Sequence, residues 1–490
     1  MSMSSLGHGE DTIAAIATSA GSGGIGIVRL SGSNALAIAD QMFLTKNKKK
    51  PSAFKNYTAH YGWMVKRKQK LLDLPPQLIS GLYDSSERDG DEYEIIDEAL
   101  LTVMRAPRSY TREDVVEMSC HGGMVSLKAT LICALDLGAR LAEAGEFTKR
   151  AFLNGRIDLA QAEAVLDIIQ SRTEAFLKVS THQLKGELSV ELEAIREILM
   201  RAYVQIEAVI NFPDDDMEDQ RMEGLCEPIQ SSRQRIDDLL ASSEHGRILK
   251  EGIKIVICGR SNVGKSSLLN ILLKIPRAIV SPVAGTTRDT IEEMAQIRGV
   301  PFQLVDTAGL LDPRDHIEEE AIRRSRMHIK GADLLLFVLD ASEALTREDE
   351  GLLDDLKDQE GLIILNKCDL PMKIDEGRII SAAGRKKILK ISVIQKTGIE
   401  GLETAIVEHV WHGKTVDPHG ILVSNLRHIH ALKDCRGVLK RAQEILADGL
   451  SLEFVSEEIK RAVNSLDSIT GRHISADLLD QIFSRFCVGK

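Results

Sequence analysis

Gly259-Arg260-Ser261-Asn262-Val263-Gly264-Lys265-Ser266 follows directly on the apolar run Ile253-Lys254-Ile255-Val256-Ile257-Cys258 and leads into Ser267-Leu268-Leu269-Asn270-Ile271-Leu272-Leu273. A buried strand, a glycine-rich turn and a helix in that order predict a phosphate-binding loop. The glycines let backbone N–H groups approach phosphate, Lys265 supplies charge to the β/γ oxygens, and the Ser266 hydroxyl suits Mg²⁺. Thr286-Thr287 come next, then Asp306-Thr307-Ala308-Gly309 after the strand-like Phe302-Gln303-Leu304-Val305, then Asn366-Lys367-Cys368-Asp369 after Leu362-Ile363-Ile364-Leu365. The glycine-loop pattern alone arises by chance at an appreciable rate. All three motifs in order, each at the end of a strand, predict a guanine-nucleotide site between residues 251 and 413. Asn366 and Asp369 carry the base specificity. A carboxylate accepts from both N–H donors of guanine's Watson–Crick edge, whereas adenine offers one, and a buried acceptor left unpaired costs about 1–3 kcal/mol. Ser392-Val393 is the candidate loop for the guanine oxygen, with Ser-Val-Ile where Ser-Ala-Lys is usual.

Leu310 follows Asp-Thr-Ala-Gly where small signalling GTPases carry a water-orienting glutamine. Leucine cannot orient water, so either hydrolysis is poor or another group does so; Asp312, Asp315, Glu318, Glu319 and Glu320 lie close by in sequence. No arginine finger is assignable, since Arg288 can equally hold its own loop. Asn262, three residues before Lys265, is a neutral oxygen ligand suited to a monovalent cation that would replace the finger's charge; equally, it can simply shape the turn.

With 490 residues, two to four domains are expected, and 43% hydrophobic with 28% charged residues are globular values. No apolar run reaches the eighteen residues of a membrane span, and the N-terminus has no secretory pattern. Seven cysteines are scattered singly, without zinc spacing, which reads as reduced, cytoplasmic thiols. A net charge of −11 excludes a non-specific nucleic-acid coat but leaves room for local basic patches such as Lys46–Lys50 and Lys66–Lys70.

Pattern separates three further regions. Residues 1–154 mix short β-type runs, such as Ile25–Leu30, Glu98–Met104 and Val115–Met118, with two helical stretches, an α+β domain. Residues 155–250 begin an all-α region. Leu184, Leu188, Leu192, Ile195, Leu199, Tyr203, Ile206 and Ile210 step by three or four, predicting one continuous apolar stripe, and a second helix is expected over about 218–249. Helical periodicity resumes in residues 414–490 at Ile429, Leu432, Leu439, Leu446, Val455, Ile459, Val463 and Leu466. The two helical parts most simply form one bundle, split in sequence by an inserted P-loop α/β domain over 251–413.

Several stretches resemble one family along the whole chain. They are Asp11–Thr18, Ser109-Tyr110-Thr111-Arg112-Glu113-Asp114, Cys120-His121-Gly122-Gly123, Phe152–Glu163, Gly285-Thr286-Thr287-Arg288-Asp289 and the final Cys487-Val488-Gly489-Lys490. Together they look like the MnmE (TrmE) tRNA-modification GTPases. The resemblance implies an N-terminal domain that binds folate and dimerises, a split helical domain and an inserted Ras-like GTPase domain. It further implies potassium-activated GTP hydrolysis and, with an MnmG-type flavoprotein in a heterotetramer, aminomethyl or carboxymethylaminomethyl groups placed on the wobble uridine of tRNA, the one-carbon unit coming from 5-formyl- or 5,10-methylene-tetrahydrofolate. By motif, Asn262, Val263, Gly264, Lys265, Ser266, Ser267, Ser281, Thr286, Thr287, Asp306, Thr307, Ala308, Gly309, Asn366, Lys367, Asp369 and Ser392 would contact GTP. Ser266 and Thr287 would hold Mg²⁺, and Asn262, Ser281, Val283 and Thr286 would hold K⁺. Glu318, twelve residues after Asp306, would be the catalytic glutamate, with Cys487 as a second catalytic residue. Arg29, Glu117, Arg156 and Lys490 would contact folate. Three positions depart from the family pattern: Ser19 for a common Pro, Arg112 for a common Gly, and Val488 for a common Ile. The competing function is a regulatory or ribosome-assembly GTPase switch without covalent chemistry on RNA. Neither lipidation sites nor a basic amphipathic helix support a membrane-trafficking role.

Overall fold

The computed structural model describes residues 11–19, 21–68, 93–211, 218–274, 292–306, 331–355, 357, 359–384, 386–411 and 420–490. They form two compact units, Met1–Glu163 with Thr470–Lys490 and Ala164–Ile469.

The first unit carries β1 (Ile13–Ile16), β2 (Gly23–Ser31), α1 (Ala35–Met42), β3 (Phe43–Leu44), β4 (Thr58–Arg67), β5 (Tyr93–Met104), β6 (Val115–Gly122), α2 (Met124–Asp136), β7 (Arg140–Leu141) and α3 (Glu146–Leu153). The strands make one sheet in the order β3-β4-β5-β6-β2-β1-β7, antiparallel except for the β1–β7 pair. Alternation along the strands sends Val28, Leu30, Met64, Leu101, Val103 and Met118 to the face covered by α1 and α2, where they form the core. Gly26 lies on that face because a Cβ there would meet the Leu127 side chain of α2 at 2.4 Å.

On the opposite face, Ile13 and Ala15 of β1 pack beneath Phe147 of α3 and Tyr110. The strands beyond them leave Ile25, Tyr61, Trp63 and Leu100 exposed. An Arg–carboxylate network of Asp11, Glu113, Arg140, Glu146 and Arg150 ties the chain start to α3.

The second unit begins within α4 (Leu159–Gln170) and continues through α5 (Glu174–Leu184), α6 (Glu187–Asn211) and α7 (Glu218–Glu251). The apolar stripe expected to run unbroken from Leu184 is interrupted at Gly186, whose φ of 89° turns the chain between α5 and α6. Within α6 it holds: Leu188, Leu192, Ile195, Leu199 and Ile206 are buried.

The inserted α/β part follows: β8 (Ile253–Cys258), α8 (Lys265–Lys274), β9 (Glu292–Ile297), β10 (Val300–Asp306), β11 (Leu334–Asp340), α9 (Arg347–Asp355), β12 (Gly361–Asn366), α10 (Glu376–Ala383), β13 (Lys387–Lys390) and α11 (Ile399–Trp411). Its sheet runs β13-β12-β11-β8-β10-β9 and is parallel except at β9–β10. Strand β8 is buried on both faces, Ile253, Ile255 and Ile257 in one cluster and Val256 and Cys258 in the other, which is why it reads as a continuous apolar run.

The chain then returns through α12 (Leu426–Ala447) and α13 (Leu452–Thr470). Helices α7 and α12 lie side by side, with Arg233 donating to Gln443 at 2.6 Å, and α6 meets α13 through an Arg196–Asp467 pair at 2.8 Å. Helices of the two flanking segments thus pack against one another within the second unit.

The last helix, α14 (Ala476–Phe483), and the tail to Lys490 do not stay with it: they belong to the first unit. Lys149 of α3 bonds Asp480 at 2.6 Å, Val488 bridges Ala144, and the Gly145 N–H donates to the Cys487 carbonyl at 3.3 Å. The expected grouping of residues 414–490 is corrected at Thr470 for this reason. The helical periodicity that motivated it ends at Leu466; Asp467 just beyond still pairs with Arg196 of α6, whereas Asp480 of α14 pairs with Lys149 of α3.

Candidate functional site: nucleotide loops and the Arg29 cluster

The residues after β8 adopt the backbone a phosphate cradle needs. Gly259 has φ 142° and a Cβ there would meet the Val338 carbonyl at 2.3 Å; Gly264 has φ 101° and a Cβ would meet Asn366 Nδ2 at 2.3 Å. Asn262 takes φ 66°, a conformation that Asn tolerates better than most residues. Lys265 is buried and donates to the Arg260 carbonyl at 2.8 Å, so its ammonium lies across the loop; Ser266 and Ser267 are exposed. A hollow closed by glycines, with one buried ammonium and exposed hydroxyls, fits a polyphosphate and a hard oxygen-seeking cation.

Asn366, at the end of β12, joins three loops. Its amide donates to the Val263 carbonyl at 2.8 Å and its oxygen accepts from the Val393 N–H at 3.2 Å. Ser392, fully buried, donates to Asp369 at 2.6 Å. The structure thus brings Val263, Gly264, Asn366, Asp369 and Ser392 together from three separate strand ends, and the Ser-Val-Ile departure leaves that geometry intact because it works through backbone and hydroxyl. Lys367, at φ 63°, pairs with Asp340 at 2.6 Å. Burial pushes the Asp340 carboxyl up, but bonds from Lys367 and Ser342 prevail and hold it below the usual carboxylate range. Ser281, Val283, Thr286, Thr287, Thr307, Ala308, Gly309 and Glu318, with Leu310, Asp312, Asp315, Glu319 and Glu320, lie outside the described residues; of Asp306 only the backbone, ending β10, is described.

In the first unit Arg29 of β2 and Glu117 of β6 are register partners, and Arg29 Nε bonds Glu117 at 2.7 Å. Arg29 also donates to the Gly489 carbonyl at 3.2 Å and lies 5.5 Å from the ring centres of both Tyr110 and Phe147. Arg156 covers Tyr110 at 4.5 Å. Tyr110, fixed by a 2.9 Å bond to Thr148, thus has both arginines against its ring. Arg29, Glu117, Arg156 and the tail at Gly489 lie together around Tyr110, and Arg29 and Glu117 are partnered with each other.

Sequence reasoning missed Tyr110 and Phe147 as the organisers; the only signal was Tyr110's place inside Ser-Tyr-Thr-Arg-Glu-Asp. Arg112, where glycine is common, holds φ 62° and offsets the strain by donating to the Asn154 carbonyl at 2.9 Å. Gly489 has φ 93°, and a Cβ there would meet the Ile16 carbonyl at 2.5 Å, so only glycine lets the tail lie against β1. That docking leaves Cys487 exposed. Burial pushes Cys258 and Cys435 up to about 12 and Cys120 to about 11, leaving them inert.

The description "GTP-binding protein TrmE N-terminus" matches residues 12–156, and "MnmE helical domain" matches residues 159–487. The chain belongs to the MnmE family of tRNA modification GTPases. It is 44% identical over 482 residues to the tRNA modification GTPase MnmE of Alkaliphilus metalliredigens, covering 98% of this chain and 99% of that protein. It is 43% identical over 483 residues to the MnmE of Levilactobacillus brevis, covering 98% of each. The FeoB G-domain of Methanococcus jannaschii is 28% identical over 32% of this chain and 97% of its own, with a TM-score of 0.25. As an MnmE family member the chain is a GTP-binding, GTP-hydrolysing enzyme of tRNA modification. Among the described residues no helix is long and apolar enough to cross a membrane.

Proposed function

We propose that this chain is a potassium-activated GTP hydrolase of the cytoplasm. With an MnmG-type flavoprotein it forms aminomethyl or carboxymethylaminomethyl groups on the wobble uridine of tRNA from a one-carbon tetrahydrofolate. The observation that carries the folate part is the Arg29–Glu117–Tyr110–Arg156 cluster against the C-terminal tail. A folate glutamyl carboxylate suits paired guanidinium groups, a pterin suits a carboxylate acceptor, and its ring suits the aromatic and arginine faces of the cluster. Cys487 lies two residues from the Gly489 carbonyl that Arg29 engages, which supports its acting as nucleophile or acid/base on the adduct.

In the nucleotide loops, Lys265 stabilises charge on the β/γ oxygens, Asp369 and Asn366 select guanine, and Ser392 orients Asp369. Ser266 and Thr287 are the Mg²⁺ ligands; Asn262, Ser281, Val283 and Thr286 are the K⁺ ligands. Each ion supplies positive charge to phosphate oxygens as it is bound. Glu318 positions water in place of the glutamine that Leu310 lacks. Ile25, Tyr61, Trp63 and Leu100, exposed on the same sheet face as Arg29 and Glu117, support pairing of two copies through the N-terminal unit.

The deciding experiment is wobble-uridine analysis of total tRNA from cells with and without this chain. Loss of the modified nucleoside is expected, and its persistence sinks the proposal. GTP turnover in potassium chloride should exceed that in sodium chloride at matched ionic strength; equal rates remove the cation part.

A further inference from the structure

One charged cluster beside the nucleotide loops, built on the buried Asp349, has no part in the chemistry above. Arg260, the second residue of the phosphate loop, reaches out of that loop: it donates to Glu343, ahead of α9, and its Nε lies 3.4 Å from Asp349 within α9. Asp349 is 3% exposed and caps its own helix, accepting from the Thr346 N–H at 3.1 Å and hydroxyl at 2.8 Å. Arg260 Nε and Asp349 Oδ1 are both buried without a hydrogen-bond partner, although they belong to the same ion pair. Unmet buried polar atoms on facing charged groups call for an explanation, and a helix cap needs no guanidinium.

The other end of the same connection grips the base-reading loop. Asp340, the last residue of β11, holds Lys367, and the next residue, Ala341, donates to the Asn366 carbonyl at 2.8 Å. The short segment from Asp340 to Asp349 therefore touches the phosphate loop through Arg260 and the Asn-Lys-Cys-Asp loop through Lys367. Resting on the assignment of those two loops to phosphate and base, we propose that Asp349, acting through Arg260, is a positioning residue for nucleotide: it fixes the phosphate loop at a set distance from the base-reading loop. The spare donor and acceptor then have a use. Lys265 occupies the Arg260 carbonyl when it is not on phosphate; once it turns to the phosphates, the Arg260 backbone is released and its side chain can close on Asp349. The brace is tightest with nucleotide in place and slows its escape.

The test is dissociation of a fluorescent GDP analogue from the full chain, with steady-state GTP hydrolysis and thermal unfolding without nucleotide. Lys265→Ala tests the loop assignment itself: it should bind no measurable nucleotide, and normal binding would remove the premise rather than the brace. Asp349→Asn keeps an oxygen for the Thr346 cap and removes the charge. It should raise the dissociation rate and the KM about tenfold, with kcat within about twofold and the unfolding midpoint unchanged. Arg260→Ala should match it, and the double variant should be no worse than the worse single, as for two ends of one contact. Glu350→Gln, on the exposed side of the same helix with Arg378 as its partner, should leave every value at wild type. An unchanged dissociation rate with a lowered unfolding midpoint, additive single effects, or a loss confined to kcat would each overturn the proposal.

Discussion

At the phosphate loop the backbone makes the site: three separate strand ends deliver Gly259, Gly264, Asn366 and Val393, and the groups that meet are mostly N–H and C=O. At the Arg29 cluster side chains make it, from β2, β6, the residues around Tyr110 and Arg156, and a tail more than four hundred residues downstream of β2. A backbone-built site needs glycine and a strand–turn–helix order, both written in consecutive letters. A side-chain-built site needs only that distant residues be register partners or packed neighbours, which no local pattern records. The first kind tolerates Ser-Val-Ile for Ser-Ala-Lys; the second depends on each side chain keeping its partner.

The largest effect separates the two sites altogether. Cys487→Ser should abolish wobble-uridine modification while GTP turnover stays within about twofold, because a serine hydroxyl is a far weaker acid and nucleophile at neutral pH. Modified nucleoside at wild-type level would reduce the exposed thiol to a bystander. Next, Asp369→Asn should weaken GTP by about ten- to a hundredfold and favour xanthosine triphosphate, since an amide donor faces the xanthine oxygen. Unchanged GTP affinity would show that base reading lies elsewhere, and the comparison would lose its local half.

Gly489→Ala comes third. The added Cβ strikes the Ile16 carbonyl in a left-handed conformation, costing about 1–3 kcal/mol. Reduced modification with normal nucleotide binding is expected, and a wild-type unfolding midpoint would show that the tail's position does not need glycine.

The smallest effect concerns His121, exposed at the end of β6. A 2.7 Å bond and the charge of Asp97 raise its pKa above 6.5. A raised folded-state pKa gives stability that is complete below 6.5 and fades as pH rises through the folded value. The gap in unfolding free energy between wild type and His121→Gln should therefore be wider at pH 5 than at pH 9. A gap independent of pH would make the pair a neutral hydrogen bond.

Much of the fold could be read from the letters. Strand β8 is mostly β-branched, with Ile253, Ile255, Val256 and Ile257, because both of its faces are covered, and Leu188 to Ile206 step at helical spacing because one face of α6 is. The break at Gly186 escaped because a single glycine inside a periodic stretch has no unique meaning, and only its φ of 89° shows that the chain turns. The placement of α14 escaped for a different reason. Amphipathic helices advertise a buried face but not whose face covers it, and Lys149 with Asp480 are 331 residues apart. Tyr110 was legible as part of a motif yet not as the ring that both Arg29 and Arg156 approach, since a stacking partner leaves no periodicity.

The seat of the tail against β1 bears on how the protein is made. Ile16 leaves the ribosome about 470 residues before Gly489, which at ordinary rates of synthesis is roughly half a minute to a minute and a half. Throughout that interval Arg29 lacks the carbonyl it later engages, and the edge of α3 lacks Val488. The N-terminal sheet can form early, but its Arg29 corner is assembled late, by the part of the chain that is translated after the nucleotide domain. Completion of that corner thus reports that the intervening domains have already been synthesised, so a prematurely stopped chain would never assemble the Arg29–Gly489 contact.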